Sequence, residues 1–393
     1  MLRHISSESV TEGHPDKVAD QVSDAVLDAA LEQDLDAVVS CETLVTTGMV
    51  LVAGELAGLE EPDPPLDIAG VARRTLQRIG CTDDRFGINA DTCSVLVAME
   101  VPDRERADEA SDGGDEEDGV TDPGSRAQGL VYGYATDEHP TFLPQPIAHA
   151  HALARRLTHA RREGDAPFGP HGTAMVTVEY DGQVAKRVVS VVIATQHEEG
   201  STLDEVESAV AEQVLAPVLD GVEGFDDCSL VVHSLGHVEP AGPRVDWGLT
   251  GRKIIVDTYG GVGRHGGRSF SGKDPSTVDR AGAYACRWVA KNVVAAGIAS
   301  RCEVHAAYEG VRRAPASVVV ETFGTEHVDP PRITAAIREV FDLRPTSIVR
   351  DLDLRRPIYS GTAAYGHFGR TEPWCTWERL DRVAALASAV GLG

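Results

Sequence analysis

Lysine is nearly missing from this chain: among 393 residues it occurs only at Lys17, Lys186, Lys253, Lys273 and Lys291, and arginine supplies the other fixed positive charges. Positive charge of either kind is outnumbered, 36 Lys and Arg against 62 Asp and Glu, for a net charge of −26. Such a field repels polyanions, which excludes nucleic acid and anionic membrane surfaces as partners. There is no long charge-free apolar run, so no membrane span is expected. The first residues, MLRHISSESVTEGHPDK, lack the apolar core of a secretion signal, and the cytoplasm is the expected location. Cysteine is sparse and scattered. Cys41, Cys81, Cys93, Cys228, Cys286, Cys302 and Cys375 show neither CxxC pairs nor metal-ligand spacing, so they are expected as reduced, mostly buried thiols.

What is present is enough chain for two or three domains. Helical spacing of apolar positions runs over 8–33 through Val18, Val22, Val26, Leu27 and Ala30. A β-branched stretch then predicts a hairpin turning at Thr46-Thr47-Gly48, followed by a helix ending at Gly80 and a strand in DTCSVLVAMEV. From Pro102 to Gly124 acids, Gly and Pro dominate; the segment is too polar to order itself and is expected as a linker or an active-site lid. Beyond it come a strand in QGLVYGYA, a helix in PIAHAHALARRLTHARR, a long hairpin turning at Asp181-Gly182 and a helix in DEVESAVAEQVLAPVL. The last portion predicts a strand at KIIVDTY, a Gly-rich loop, a helix in VDRAGAYACRWVAKNVVAAG, strands in RCEVHAAYEGV and SVVVETFG, and a helix in ITAAIREVF. Three portions of similar content predict an α+β protein of three related domains: 1–101, then the 102–124 loop, 125–240 and 241–393.

The loop GRSFSGKD, 267–274, nearly spells a nucleotide P-loop, with Asp274 where the hydroxyl residue belongs. Two objections count against that reading. Gly260–Gly266 intervene between the expected strand and the loop, and a magnesium-ligating Ser or Thr is absent. The window is still unusual for this chain. Arg252, Lys253, Arg264, Arg268 and Lys273 face one acid, Asp257, and the Gly content suits a wrapped anion.

Taken together, TEGHPDK, CETLVTTGMVLVAGE, QGLVYGYATDE, GPRVDWGLTGRKIIVDTYGGVGRHGG, SFSGKDPSTVDR, ASRCEV and TAAYGHFGR resemble the S-adenosylmethionine synthetases over essentially the whole chain. The resemblance implies that family's fold, three α+β domains in a pseudo-threefold arrangement. It also implies a transferase that joins ATP to methionine, then hydrolyses the released triphosphate, using magnesium, two ions per site, and potassium. His14 would stabilise the leaving triphosphate; Lys17, Arg252, Lys253 and Lys273 would bind phosphates, with Ser269 beside them. Asp16 and Asp279 would hold magnesium, and Glu42 would face potassium. Glu55, Glu100 and Asp246 would meet the amino acid, Asp246 also lying near the nucleotide. A homodimer or dimer of dimers, with active sites between subunits, is implied as well.

Departures from the family pattern mark specificity candidates. Ala127 replaces an aspartate, His171 an acid near the ribose, and Thr173 a lysine near the phosphates. His237-Val238 stand where an Arg-Phe pair approaches the base, Arg268 where the family keeps glycine, Thr277 for a lysine and Gly310 for an isoleucine. Three readings follow: a methionine adenosyltransferase; a paralogue of the same chemistry using CTP, GTP, UTP or another thioether; and a non-catalytic partner of a true synthetase.

Overall fold

The computed structural model describes residues 1–59, 65–100, 128–164, 166–234, 242–244, 246–310 and 314–392. The acidic 102–124 segment, read above as linker or lid, lies outside them.

The strands are β1 Leu2–Val10, β2 Val38–Thr46, β3 Met49–Ala57, β4 Thr82–Asp83, β5 Ile88–Asn89, β6 Ser94–Glu100, β7 Gly129–Thr136, β8 Phe168–Asp181, β9 Val184–His197, β10 Ser229–Ser234, β11 Gly248–Leu249, β12 Arg301–Tyr308 and β13 Ser317–Glu321. The principal helices are α1 Pro15–Gln33, α2 Ile68–Ile79, α3 Gln145–Glu163, α4 Leu203–Val210, α5 Ala216–Leu219, α6 Ile254–Asp257, α7 Val278–Ala295, α8 Pro330–Val340, α9 Pro345–Asp351 and α10 Val383–Ala389. No helix of the described residues is long and apolar enough to cross a membrane. All seven cysteines are unpaired, and all but Cys228 are buried.

Mixed helices and sheets make this an α+β protein with three principal sheets, in the strand orders β11-β2-β3-β6, β1-β8-β9-β10 and β13-β12-β7. Each sheet borrows a strand from a neighbouring portion of the chain. β1 lies antiparallel to β8, β7 antiparallel to β12, and β11 antiparallel to β2. This cyclic exchange ties the first portion to the second, the second to the third and the third to the first. One helix layer backs the sheets: α1 on β2, α3 on β1 and β8, α7 on β7 and β12. Alternation along β2 buries Val39, Cys41, Thr43 and Val45 beneath α1 and turns Ser40 and Glu42 outward. α1 and α7 are buried on nearly every face, as helices wedged between layers are.

Two local expectations are corrected. The helix expected over 8–33 starts only at Pro15, where Pro occupies the first turn and His14 caps it; Leu2–Val10 is instead an edge strand of the central sheet. KIIVDTY is not a strand. It forms the short helix α6, because Asp257 bonds back to Lys253 O and Thr258 Oγ1 to Ile254 O, while the Asp257 carboxylate is drawn inward to Lys17. Tertiary pairing overrides the β-branched propensity of Ile254, Ile255 and Val256, and the loop at 267–274 therefore follows no strand at all.

The first helix organises the assembly through four aspartates spaced four apart, which places them on one face. Asp16 accepts from Leu249 N, Asp20 from Gly251 N, Asp24 from Gly272 N, and Asp28 from Tyr359 N and Ser360 N. Every one is buried, and each carboxylate satisfies backbone donors of the C-terminal portion that would otherwise be orphaned.

Candidate active site

The turn before α1 is clamped on both sides. Thr11 N donates to Gly172 O at 2.9 Å and Gly172 N to Thr11 Oγ1 at 2.8 Å. A Cβ at Gly13 would sit 2.3 Å from Pro170 O, and one at Gly248 would sit 1.9 Å from Pro15 O, so both close approaches require glycine. His14 is thereby held at the helix N-cap, where its Nδ1 accepts from Asp16 N at 3.1 Å. That bond fixes the tautomer: Nδ1 is the acceptor, so Nε2 carries the proton. Burial, then the charges of His171, Lys253, Lys17 and Arg252, push the imidazole down to about 2, so it is a neutral donor at physiological pH.

Around His14 the first cluster assembles. Asp16 Oδ2 binds Lys253 Nζ at 2.7 Å, and Arg252 Nε lies 3.8 Å from Oδ1. His171 meets His14 edge to face at 5.0 Å, is pushed down to about 4 by burial and by Lys253, and leaves a buried Nδ1 with no hydrogen-bond partner. Thr173, half-buried, follows it on β8, paired with Val10. Asp246 is exposed at the entrance and acts on His171 by its charge.

A second cluster forms where the 267–274 loop meets α7. Asp279 Oδ2 takes Lys273 Nζ at 2.8 Å and lies 3.5 Å from Arg268 Nη1, while its buried Oδ1 has no hydrogen-bond partner. The loop is stitched to β2: Cys41 N donates to Gly272 O, Asp274 N to Val39 O, and Val39 N to Asp274 Oδ2. Asp274 is therefore a structural cap and not a failed P-loop hydroxyl. Ser269 packs against Gly251, where an added Cβ would sit 2.4 Å from its own Cβ, so the loop rests on the segment carrying Arg252 and Lys253. Thr277 is the N-cap residue of α7 without a side-chain cap bond. Among the described residues no hydrogen bond or ion pair joins the two clusters.

Glu42, Glu55 and Glu100 stand exposed on the outer face of the first sheet, Glu55 in register with Glu100 and with Ser40. Gly310 occupies a turn just after β12, with open space around its Cα and no contact to either cluster. Ala127, His237 and Val238 lie outside the described residues.

Lys17 is a correction. Its ammonium is fully buried, bonded to Asp20 at 2.9 Å and to Asp257, and these carboxylates hold its pKa above the usual lysine value. A sealed ammonium cannot reach a phosphate; Lys17 braces α1 against α6 instead.

These clusters belong to a chain most of whose length matches one family. Its residues 3–102, 122–240 and 241–379 match the N-terminal, central and C-terminal domain models of S-adenosylmethionine synthetase. The S-adenosylmethionine synthase of Corynebacterium jeikeium is 49% identical over 406 residues, covering 99% of this chain and 98% of its own. Those of Salinispora tropica and Salinispora arenicola are each 49% identical over 399 residues, covering 99% of both chains. The chain belongs to the S-adenosylmethionine synthetase family.

Within this synthetase the residue-by-residue reading missed the supporting groups. Asp20, Asp24, Asp28 and Arg280 were legible only as an i, i+4 aspartate repeat and an arginine next to Asp279. Glu12, whose carboxylate is gripped by Arg161 at 2.8 Å and Arg162 at 2.7 Å, anchors the turn that presents His14.

Proposed function

We propose that the enzyme condenses ATP with methionine to form S-adenosylmethionine, releasing pyrophosphate and phosphate. The observation that carries this reading is a repeated pair, a buried carboxylate holding a partly exposed lysine ammonium: Asp16 with Lys253 and Asp279 with Lys273. Displacement at C5′ forms the sulfur–carbon bond while the carbon–oxygen pair departs with the triphosphate. That leaving group needs charge neutralisation and a hydrogen-bond donor in a site that excludes water. His14 Nε2–H supplies the donor, and Arg252, Lys253, Lys273 and Ser269 supply phosphate contacts. Glu55, Glu100 and Asp246 offer carboxylates for the methionine ammonium.

Asp279 Oδ1, a buried carboxylate oxygen without a partner, suits a hard cation. Magnesium held by Asp16 and Asp279, and potassium near Glu42, would neutralise phosphate charge. Among the described residues no three metal-ligating side chains cluster.

In this reading two copies pair and share their active sites. Exposed apolar side chains Leu96 on β6, Leu130 on β7 and Val319 on β13 suit burial against a second chain. Pairing through these faces brings the His14 cluster of one copy to the Asp279 cluster and the outer-face glutamates of the other.

A second reading keeps the chemistry and changes the substrate. It is favoured by His171 and Thr173 beside His14, where the family resemblance expects an acid and a lysine, and by the Arg268 guanidinium beside Asp279. The test is incubation of the purified protein with methionine, magnesium, potassium and each of ATP, GTP, CTP and UTP, the sulfonium product and pyrophosphate being followed by mass spectrometry. Product with ATP alone supports the first reading, product with another nucleotide the second. No turnover with any would leave a non-catalytic partner.

A further inference from the structure

A cavity of about 550 Å³ opens between α3 and the loop 365–371, bordered by residues 139–143 and by Val218 of α5 and Val222 just after it. In a chain of charge −26 its lining contains no Asp or Glu, but does contain Arg155, Arg156, His139, His149 and His159. Three of these, His149, Arg156 and His159, follow one another at seven- and three-residue spacing along a single face of α3, with the small Ala152 leaving room between them.

The cations differ in how they are satisfied. Arg156 is bonded to Glu163 at 2.9 Å and to Gln213 O at 2.7 Å. Arg155 is half-buried and, among the described residues, makes no hydrogen bond or ion pair; its guanidinium lies only over the Tyr365 ring, 5.5 Å from the centroid. Glu372, a carboxylate whose charge reaches Arg155, is bonded to Arg370 at 3.2 Å. Burial and the Arg370 charge both disfavour the Arg155 cation. A partly desolvated guanidinium without an acceptor costs free energy that a bound anion returns. The opposite wall is apolar, built from Leu143, Val218, Val222 and Phe368. A cavity of this size, cationic on one side and apolar on the other, matches a small molecule carrying an anionic group on a flat apolar body better than it matches a bare inorganic ion.

We propose that this cavity is a second ligand site, separate from the synthetase active site, for a phosphomonoester of aromatic or nucleoside size, with Arg155 and His159 on the phosphate and the Phe368–Val222 wall on the ring. Arg155 forms the bidentate phosphate contact, the arrangement its free fork of donors is shaped for.

The probe is phenyl phosphate, titrated against the full-length protein in phosphate-free buffer by calorimetry and by ligand-detected NMR. Wild type binds it. Arg155→Gln weakens binding by at least about tenfold and His159→Ala weakens it severalfold, whereas Lys253→Gln, which alters the active site, leaves it within about twofold. Melting curves confirm that each variant is folded; should Arg155→Gln fail to fold, His159→Ala carries the test. Absence of binding to wild type at millimolar probe overturns the proposal. So does binding lost in Lys253→Gln but kept in the α3 variants, which would assign the probe to the active site.

Discussion

Asp24 and Arg280 are locked in a fully buried bidentate ion pair, Oδ1 to Nη1 at 2.7 Å and Oδ2 to Nη2 at 2.9 Å. The same guanidinium donates to Phe270 O and Lys273 O and stacks 4.1 Å over the Tyr359 ring, while Asp24 also accepts from Gly272 N. One pair thus fixes both the loop carrying Lys273 and the helix start carrying Asp279.

Breaking that pair from one side strands a charge in the core. Asp24→Ala is expected to cost about 3–5 kcal/mol, because Arg280 keeps its desolvation penalty and loses its counter-charge. Urea unfolding of the variant measures it. A loss below about 1 kcal/mol would mean that water or a rearranged acid replaces Asp24.

Lys17 and Lys273 are expected to fail in different ways. Lys17→Met leaves Asp20 and Asp257 buried together without a cation, so the melting temperature falls and activity follows it down. Lys273→Gln removes a partly exposed ammonium, and is expected to keep a near-native melting temperature while losing at least about a hundredfold in turnover. Thermal melts beside initial rates separate the two; equal melting losses would remove the distinction between brace and phosphate ligand.

How much of this was legible from residues alone differs from element to element. The β2–β3 and β8–β9 hairpins were readable because short turn signals sit between alternating runs, and period 2 fixes their faces. β1 was not readable, since its pattern shows exposed positions along an edge and its partner strand lies 171 residues away, Ser6 standing opposite Thr177. α6 was misread because β-branched residues usually pleat, and only the buried Lys17 explains the turn. Lys253 and Lys273, the lysines proposed to hold phosphate, stood out through the scarcity of lysine. Lys17 stood out for the same reason and was wrongly grouped with them, because sequence shows charge but not burial.

His14 caps α1 and is proposed to donate to the leaving group, and substitution can split the two roles. Asn at this position keeps an acceptor for Asp16 N, whereas Ala removes it at a cost of about 1 kcal/mol. Both His14→Asn and His14→Ala are expected to lose at least about a hundredfold in sulfonium formation, with only Ala lowering stability. Turnover retained by His14→Asn would show that the cap, and not the Nε2 proton, is what the reaction requires.

Acid should unfold the protein partly through its neutral histidines. His149 is pushed down to about 4 by burial and by His139, and His151 well below its ordinary value by burial and by Arg155, Arg370 and Lys17. The unfolded chain binds those protons near pH about 6.5, so between that pH and about 4 the unfolded state binds more protons and stability falls as pH falls. Melting temperature in phosphate-free buffer is expected to be flat above pH about 7 and to decline below about 6.5, less steeply in His149→Leu. Parallel profiles for the two proteins would remove His149 from the account.

The proposed pairing of two copies can be tested by counting intact sites. If each active site takes His14 from one chain and Lys273 from the other, a mixed dimer of His14→Ala and Lys273→Gln chains contains one site with both residues intact and one with neither. Each variant alone has no intact site. Co-expressed and randomly paired, half the dimers are mixed and half of their sites are whole, so activity is expected to recover to about a quarter of wild type. Placing a charge on the proposed interface, as in Leu96→Glu with Leu130→Glu, should abolish the recovery along with the dimer, which sedimentation velocity reads directly. Co-expression that stays inactive while the chains still pair would place the whole site within one subunit.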